Sequence, residues 1–130
     1  SKEKIPFWFK FEKDVADFFK KKNFNLKVTS PTGDGGKDIE GLDNEGNIVL
    51  ISCKCYSPDN KIDRSKIDEL IGTITRFKET QIYDTEKKIR GIFATTSSYT
   101  EDAINAANEG GIELYSGKDL ESIIYQDPKW

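Results

Sequence analysis

A carboxylate and a lysine follow each other closely in this sequence, next to a glycine-rich turn. Asp38 comes after Gly35, Gly36 and Lys37, and Lys54 lies on an apolar segment one predicted hairpin later. A carboxylate and a lysine on paired strands are suited to holding a divalent cation against a phosphodiester. The chain contains no histidine, which excludes histidine metal ligands and the catalytic triads that use histidine as a base. Chemistry here would therefore depend on carboxylates, lysine, hydroxyl groups and a metal ion.

The register of the predicted hairpin decides whether these side chains meet. Alternating apolar residues predict two strands around the polar turn 43–47. If the hairpin is symmetric about Glu45, Asp38 lies opposite Ser52, and directly opposed residues point to the same face of a sheet. Alternation along the second strand adds Lys54 to that face. The sequence therefore predicts that Asp38, Ser52 and Lys54 converge.

A predicted first helix adds a second carboxylate. Glu12 lies about 60° from the centre of the apolar face of that helix, from the 100° step per residue, so it can reach the sheet surface. We expect Mg²⁺ (or Mn²⁺) to bind at Asp38, with Glu12 and the backbone carbonyl of Cys53 as further oxygen ligands. Lys54 would stabilise charge or position the attacking water. Each residue alone also has an ordinary explanation, as a turn residue, a helix-surface carboxylate or a solvent-facing lysine.

The distribution of charge provides candidate phosphate contacts. The net charge is −3, which argues weakly against nucleic acid, because phosphate binders are usually basic. Basic residues nevertheless cluster at Lys20, Lys21, Lys22 and Lys27. We expect nucleic-acid contacts from these lysines and from the loop at Gly35 and Gly36. Solvated helix ends and loops are the alternative explanation.

Size and cysteine content limit the class of protein. With 130 residues, 35% of them hydrophobic, the chain is predicted to form one globular domain over residues 1–130. Cys53 and Cys55 lie on one strand, where they cannot easily form a disulfide, and they favour a reducing, cytoplasmic setting. No apolar run approaches the length of a membrane span, so no membrane partner is expected.

The apolar periodicity predicts an α/β fold in the order αβββαβαβα. An antiparallel start joined to βα units implies a central mixed sheet flanked by helices. The predicted strands are 26–29, 38–42, 48–56, 89–95 and 112–115. The predicted helices are 9–23, 65–79, one that begins after a cap at Ser98 or Thr100 and ends at 109, and 118–126.

These motifs together resemble those of a known family. The glycine-rich segment is Gly-Asp-Gly-Gly-Lys-Asp-Ile at 33–39, the strand is Ile-Ser-Cys-Lys at 51–54, and the first helix contains Phe-Glu-Lys-Asp-Val-Ala at 11–16. Further matching segments are 67–72, 91–97 and 112–120. The chain resembles the Mrr-like catalytic domain of the PD-(D/E)xK restriction-endonuclease superfamily over nearly its whole length. The resemblance implies a restriction-endonuclease-like fold, metal-dependent cleavage of DNA and a homodimer, as in many such nucleases.

The resemblance also assigns roles to single residues. It makes Asp38 the metal-binding aspartate, Lys54 the lysine of the second half-motif and Glu12 the helix glutamate that supports the metal site. The family usually carries glutamine or glutamate where this chain has Ser52, so Ser52 would act through a water, or Asp34 or Glu12 would supply the missing oxygen. The first hypothesis is a metal-dependent DNA endonuclease. The alternatives are a catalytically inactive nucleic-acid-binding domain on the same fold, and an α/β domain that binds a small molecule or a protein.

Overall fold

The computed structural model describes residues 7–29, 37–80 and 88–124. The elements follow the predicted order αβββαβαβα. The helices are α1 (Phe7–Lys20), α2 (Arg64–Thr80), α3 (Glu101–Gly110) and α4 (Glu121–Ile124), and the strands are β1 (Asn25–Val28), β2 (Ile39–Leu42), β3 (Ile48–Lys54), β4 (Ile89–Thr95) and β5 (Ile112–Tyr115). Asp34, Gly35 and Gly36 lie outside the described residues, as does the predicted end of the last helix.

The five strands form one sheet in the order β1-β2-β3-β4-β5. Strands β1, β2 and β3 run antiparallel, whereas β3, β4 and β5 are parallel. Each parallel pair is joined through a helix, α2 and then α3, because parallel neighbours need a crossover connection. The β2–β3 register pairs Ile39 with Ile51 and Leu42 with Ile48, which makes the hairpin symmetric about Glu45, as expected. The predicted mixed sheet flanked by helices is therefore confirmed.

Helices cover the sheet on both faces, and β3 contributes to both cores. The core under α1 includes Phe11, Val15, Phe19, Ile51 and Cys53. The core under α2 and α3 includes Ile67, Leu70, Phe93, Ala103 and Ala106. Because side chains alternate along a strand, Ser52 points away from α1 and toward the core that contains Phe93, its register neighbour on β4.

The helix ends follow the expected capping chemistry at α3. The Thr100 hydroxyl accepts the Ala103 N–H at 3.1 Å, which satisfies one free donor of the first turn. Gly111 ends the helix with φ at 70°, a left-handed conformation that glycine adopts without strain. The longest described helix, α2, has 17 residues. Among the helices of the described residues, none combines the length and apolar character that crossing a bilayer requires.

A buried carboxylate holds the turn between β2 and β3. Asp43 accepts the N–H of Glu45 at 2.9 Å, the N–H of Asn47 at 2.8 Å and the Asn47 amide at 3.1 Å. The Arg90 guanidinium on β4 donates to Asp43 at 3.1 Å and to both carboxylate oxygens of Glu113 on β5. Although burial raises it, these hydrogen bonds hold the pKa of Asp43 below its ordinary value. The network joins the turn, β4 and β5 at one end of the sheet.

Candidate active site

Strands β2 and β3 separate at Asp38, just before β2 begins. The Asp38 N–H donates to the Ile51 carbonyl at 2.8 Å, while the Asp38 Oδ2 accepts the Cys53 N–H at 2.7 Å. The Asp38 carboxylate thus accepts the hydrogen bond that a backbone carbonyl of the neighbouring strand would otherwise accept from the Cys53 N–H. This contact directs the Asp38 carboxylate into the gap between the two strands, whereas the expected position was on the face that carries Ser52.

The backbone of Cys53 faces the same gap. The next carbonyl along β3, that of Lys54, accepts the Thr96 N–H at 3.3 Å on the β4 side. Successive carbonyls of a strand point to opposite edges, so the Cys53 carbonyl points to the β2 edge, where its own N–H binds Asp38. The Cys53 side chain is buried beneath α1, and both cysteines are free thiols. The gap therefore contains a carboxylate and a backbone carbonyl as oxygen donors.

Helix α1 brings a second carboxylate to Asp38. The apolar face of α1 packs on the sheet through Phe11 and Val15, and this packing leaves Glu12 only 6% exposed. Glu12 is close enough to Asp38 for the two carboxyls to share a hydrogen bond. The helix therefore places Glu12 beside Asp38. Glu12 is buried more deeply than we expected for a residue at the edge of the apolar face.

The gap holds more negative charge than its lysine balances. The pKa of Glu12 is raised from 4.5 to about 7, first by burial and then by the charge and hydrogen bond of Asp38, while Lys54 lowers it. The pKa of Asp38 is raised as well, because burial outweighs the hydrogen bond from Cys53 and the charge of Lys54. Because the pKa of Glu12 is about 7, its carboxyl is protonated in a substantial part of the metal-free protein near neutral pH. The Glu12 and Asp38 carboxyls therefore lack enough neighbouring positive charge to be fully ionised.

The donors in the gap suit a hard divalent cation. Mg²⁺ usually binds proteins through one or two carboxylates and keeps several waters. The gap offers the carboxylates of Asp38 and Glu12 together with the Cys53 carbonyl. Within residues 7–29, 37–80 and 88–124, no group of three or more histidine, cysteine, aspartate or glutamate side chains could hold a metal ion. A cation in the gap would therefore depend on two carboxylates, a backbone carbonyl and water.

Ser52 is the predicted site residue that has no contact with the others. It is 3% exposed, and its Oγ has no hydrogen-bond partner among the described residues. The neighbouring residue in register on β4 is Phe93, so the hydroxyl lies in apolar surroundings. The structure therefore brings Asp38, Glu12 and Lys54 together, and it leaves the hydroxyl of Ser52 without a hydrogen bond to any of them.

Three of the four lysines predicted to bind nucleic acid lie away from the gap. Residues 20–22 are exposed where α1 ends, close in sequence to Asn25, which pairs with Leu42 at the far end of β2. Leu42 is four positions along the chain from Asp38, or about 13 Å at 3.3 Å per residue. Lys27 is exposed in the middle of β1. It pairs with Glu40, two residues from Asp38, so only the contacts from residues 20–22 would fall on parts of a ligand distant from Asp38.

Two charged residues near Asp38 were missed by sequence reasoning. The Lys37 ammonium pairs with Glu40 at 3.2 Å and lies 5.2 Å from the ring centre of Phe77 on α2. Glu69, on the same helix, acts electrostatically on Asp38. The residues around Glu69 in the sequence are typical of those around any exposed glutamate on a helix. Only the packing of α2 against the sheet distinguishes Glu69 from the other acidic residues of that helix.

Comparisons with known proteins agree on the fold. The model of the Mrr_cat family, described as restriction endonuclease, matches residues 6–124. The solved DNA modification-dependent restriction endonuclease AspBHI is 21% identical, with a TM-score of 0.64 over 91% of this chain and 31% of its own. A repair endonuclease from Pyrococcus abyssi is 21% identical, with a TM-score of 0.60 over 89% of this chain and 49% of its own. A comparison with curated proteins found no match.

A third structure, the MspJI restriction endonuclease in complex with a 27-mer oligonucleotide, is 18% identical, with a TM-score of 0.59 over 91% of this chain and 27% of its own. The chain therefore spans half or less of the length of these three structures. At such identities the likeness establishes the restriction-endonuclease fold.

Proposed function

Because the chain belongs to the Mrr_cat restriction endonuclease family, we propose that it is a metal-dependent DNA endonuclease that hydrolyses phosphodiester bonds. The observation that carries the proposal is the meeting of Glu12, Asp38 and Lys54 where β2 and β3 separate. Glu12 is buried and Asp38 is half-buried, and both carboxyls have raised pKa values next to a lysine. Unbalanced negative charge beside a lysine fits the binding of a cation and a phosphate together.

The residues of the gap have different proposed roles in binding the metal ion. Asp38 and Glu12, with the Cys53 carbonyl, would hold Mg²⁺ or Mn²⁺. A bound divalent cation supplies Lewis-acid stabilisation of phosphoryl charge and an activated water. The hydrogen bond from the Cys53 N–H keeps the Asp38 carboxylate directed into the gap. A cation in the gap would favour the ionised form of Glu12.

Lys54 would act on the phosphodiester itself. Its ammonium lowers the pKa of both carboxyls, so it lies near them, and it is half-buried at the end of β3. We assign it to hydrogen bonding with a phosphoryl oxygen or with the attacking water. Water attacks phosphorus in line, the bond from phosphorus to the 3′ oxygen breaks, and the products carry a 5′-phosphate and a 3′-hydroxyl.

DNA is the proposed substrate, and the lysines outside the gap are proposed to bind its backbone. Residues 20–22 and Lys27 would contact phosphates of the DNA backbone, and Gly35 and Gly36, which precede Asp38 closely in the sequence, are proposed to contact the backbone as well. Phosphate contacts of this kind weaken steeply as salt rises. A homodimer in the cytoplasm would let two such sites cut both strands, and light scattering of the purified protein would test the dimer.

A second candidate function is supported by one observation. The buried hydroxyl of Ser52, which has no hydrogen-bond partner among the described residues, contributes no oxygen to the gap. A site with too few oxygen ligands would bind DNA without cutting it. This second candidate is therefore a catalytically inactive nucleic-acid-binding domain on the same fold.

One experiment separates the two candidates. The purified protein is incubated with supercoiled plasmid, single-stranded DNA and a four-way junction in Mg²⁺, Mn²⁺ or EDTA, and mobility-shift binding is measured in parallel. Asp38→Asn removes the charge of the proposed ligand, and Asp17→Asn removes an exposed charge from α1 as the matched control. We expect metal-dependent cleavage by the wild type and by Asp17→Asn, and none by Asp38→Asn. Binding without cleavage by the wild type would favour the inactive domain.

A further inference from the structure

We propose that Glu69 on α2 is the third acidic residue of the cation site and positions a water of the bound ion. This inference deepens the proposed nuclease function and rests on it. It concerns a residue that neither the sequence motifs nor the family match assigns. It also explains how a site with a buried, unpaired serine on β3 could gather enough oxygen donors.

The first step is the position of α2. Ile67 and Leu70 are fully buried in the same core as Phe93. Phe93 lies beside Ser52 in the parallel register of β3 and β4. Helix α2 therefore covers the face of the sheet to which Ser52 points. Its first turns follow the connection from the end of β3 that carries Lys54, so α2 begins on the active-site side of the sheet.

The second step is the side of α2 on which Glu69 lies. Thr73 follows Glu69 by four residues and Phe77 by eight, so the three side chains lie within about 80° of one another around the helix. The ring of Phe77 contacts the ammonium of Lys37, the residue immediately before Asp38. This side of the helix therefore faces the segment that enters β2, and Glu69 is two turns closer to the beginning of the helix than Phe77.

The third step is charge. Glu69 is exposed, and no ion pair of its carboxylate is found among the described residues. The neighbouring acidic residue of α2, Asp68, is paired with Arg64. Burial is the main reason that the pKa of Asp38 is raised, and the charge of Glu69 adds to it. Glu69 therefore increases the negative charge that the gap presents to a cation.

The fourth step is the mode of action. Glu69 does not form a three-ligand group with the two carboxyls of the gap in the described residues. Mg²⁺ keeps several of its waters when it binds proteins. A carboxylate at the rim of the site can accept hydrogen bonds from such a water and orient it. Losing a partner outside the direct ligand shell typically weakens metal affinity or activity by about 10–100-fold.

The test compares two isosteric variants on the same helix. Glu69→Gln removes the proposed charge, and Glu79→Gln removes an exposed charge from the last turn of α2. Binding of Mn²⁺ without DNA is measured by the loss of the free-ion paramagnetic resonance signal, and plasmid cleavage is measured in Mg²⁺. Circular dichroism establishes that both variants are folded. We expect Glu69→Gln to bind Mn²⁺ at least about tenfold more weakly, with slower cleavage, and Glu79→Gln to match the wild type.

The outcomes distinguish this inference from the proposed function. Wild-type cleavage with equal Mn²⁺ affinity in both variants would overturn the role of Glu69 and leave the nuclease intact. Mn²⁺ binding that depends on Glu69, in a wild type that does not cleave, would support the cation site and overturn the nuclease. A wild type that neither cleaves nor binds Mn²⁺ would overturn both.

Discussion

Replacing Glu12 with glutamine should make the metal-free protein more stable at pH 8. Glutamine has the shape of glutamate, carries no charge and can donate a hydrogen bond to Asp38. The variant therefore removes the repulsion between the buried Glu12 carboxylate and the half-buried Asp38 carboxylate without opening a cavity. The same change should abolish metal-dependent cleavage, because it removes a proposed ligand.

The magnitude follows from the raised pKa of Glu12. A pKa raised from 4.5 to about 7 means that ionising Glu12 lowers the free energy of unfolding by about 3 kcal/mol, at about 1.4 kcal/mol per pH unit. The sign follows from the direction of the shift. Above pH 7 the carboxyl is ionised in both the folded and the unfolded protein, and the folded state carries the full penalty. Below about pH 4.5 both states are protonated, and the penalty disappears.

The assay is urea denaturation followed by circular dichroism in EDTA, at several values between pH 4 and pH 8. The free energy of unfolding of Glu12→Gln should exceed that of the wild type by about 3 kcal/mol at pH 8, and the difference should be close to zero at pH 4. Asp17→Asn, an exposed charge on the same helix, should stay within about 0.5 kcal/mol throughout. A Glu12→Gln variant that is no more stable than the wild type at pH 8 would show that the carboxyl pair is already balanced, and would refute the reasoning.

Three further predictions concern other parts of the molecule. Lys54→Ala should slow cleavage by about 100-fold or more while DNA affinity in a mobility-shift assay changes little; equal loss of both would make Lys54 a phosphate anchor instead. Ser52→Ala should change the free energy of unfolding in urea by less than about 0.5 kcal/mol, because no hydrogen bond is lost, and a loss above 2 kcal/mol would reveal a partner. Asp43→Asn should lower the free energy of unfolding in urea by about 2 kcal/mol at pH 7 and by less at pH 3. The reason is that the pKa of Asp43 is lowered in the folded protein, so the stability that its carboxylate contributes is lost as pH falls. An equal loss of stability at pH 3 and pH 7 would contradict this.

Much of the fold could be predicted because local patterns and their packing agree. The apolar periodicity predicted α1 to within three residues at each end, and it predicted the bounds of β4 and β5 as they are observed. The symmetry of the hairpin about Glu45 was also predicted. Turn length and alternation set the hairpin register, and both are visible in the sequence.

The site was predictable only in part. Alternation placed Ser52 and Lys54 on one face, but it could not show that the chain leaves the β ladder at Asp38 and turns that carboxylate toward Cys53. Side-chain hydrogen bonds that replace ladder bonds depend on where two strands diverge. The role of Glu69 depends on how a helix packs on a distant strand, and no spacing within the sequence reports that packing.

The turn network around Asp43 has a consequence for the opposite end of the hairpin. Its hydrogen bonds to Glu45 and Asn47 and its pairing with Arg90 fix which residue of β2 faces which residue of β3. A slip of one residue would carry Asp38 away from the Cys53 N–H and reverse the faces of every side chain between them. Asp43 thus fixes the register, so that a residue about 17 Å along the strand from Asp38 sets the alignment of the proposed catalytic groups. Selection for activity would then act on a turn that contributes no group to the gap.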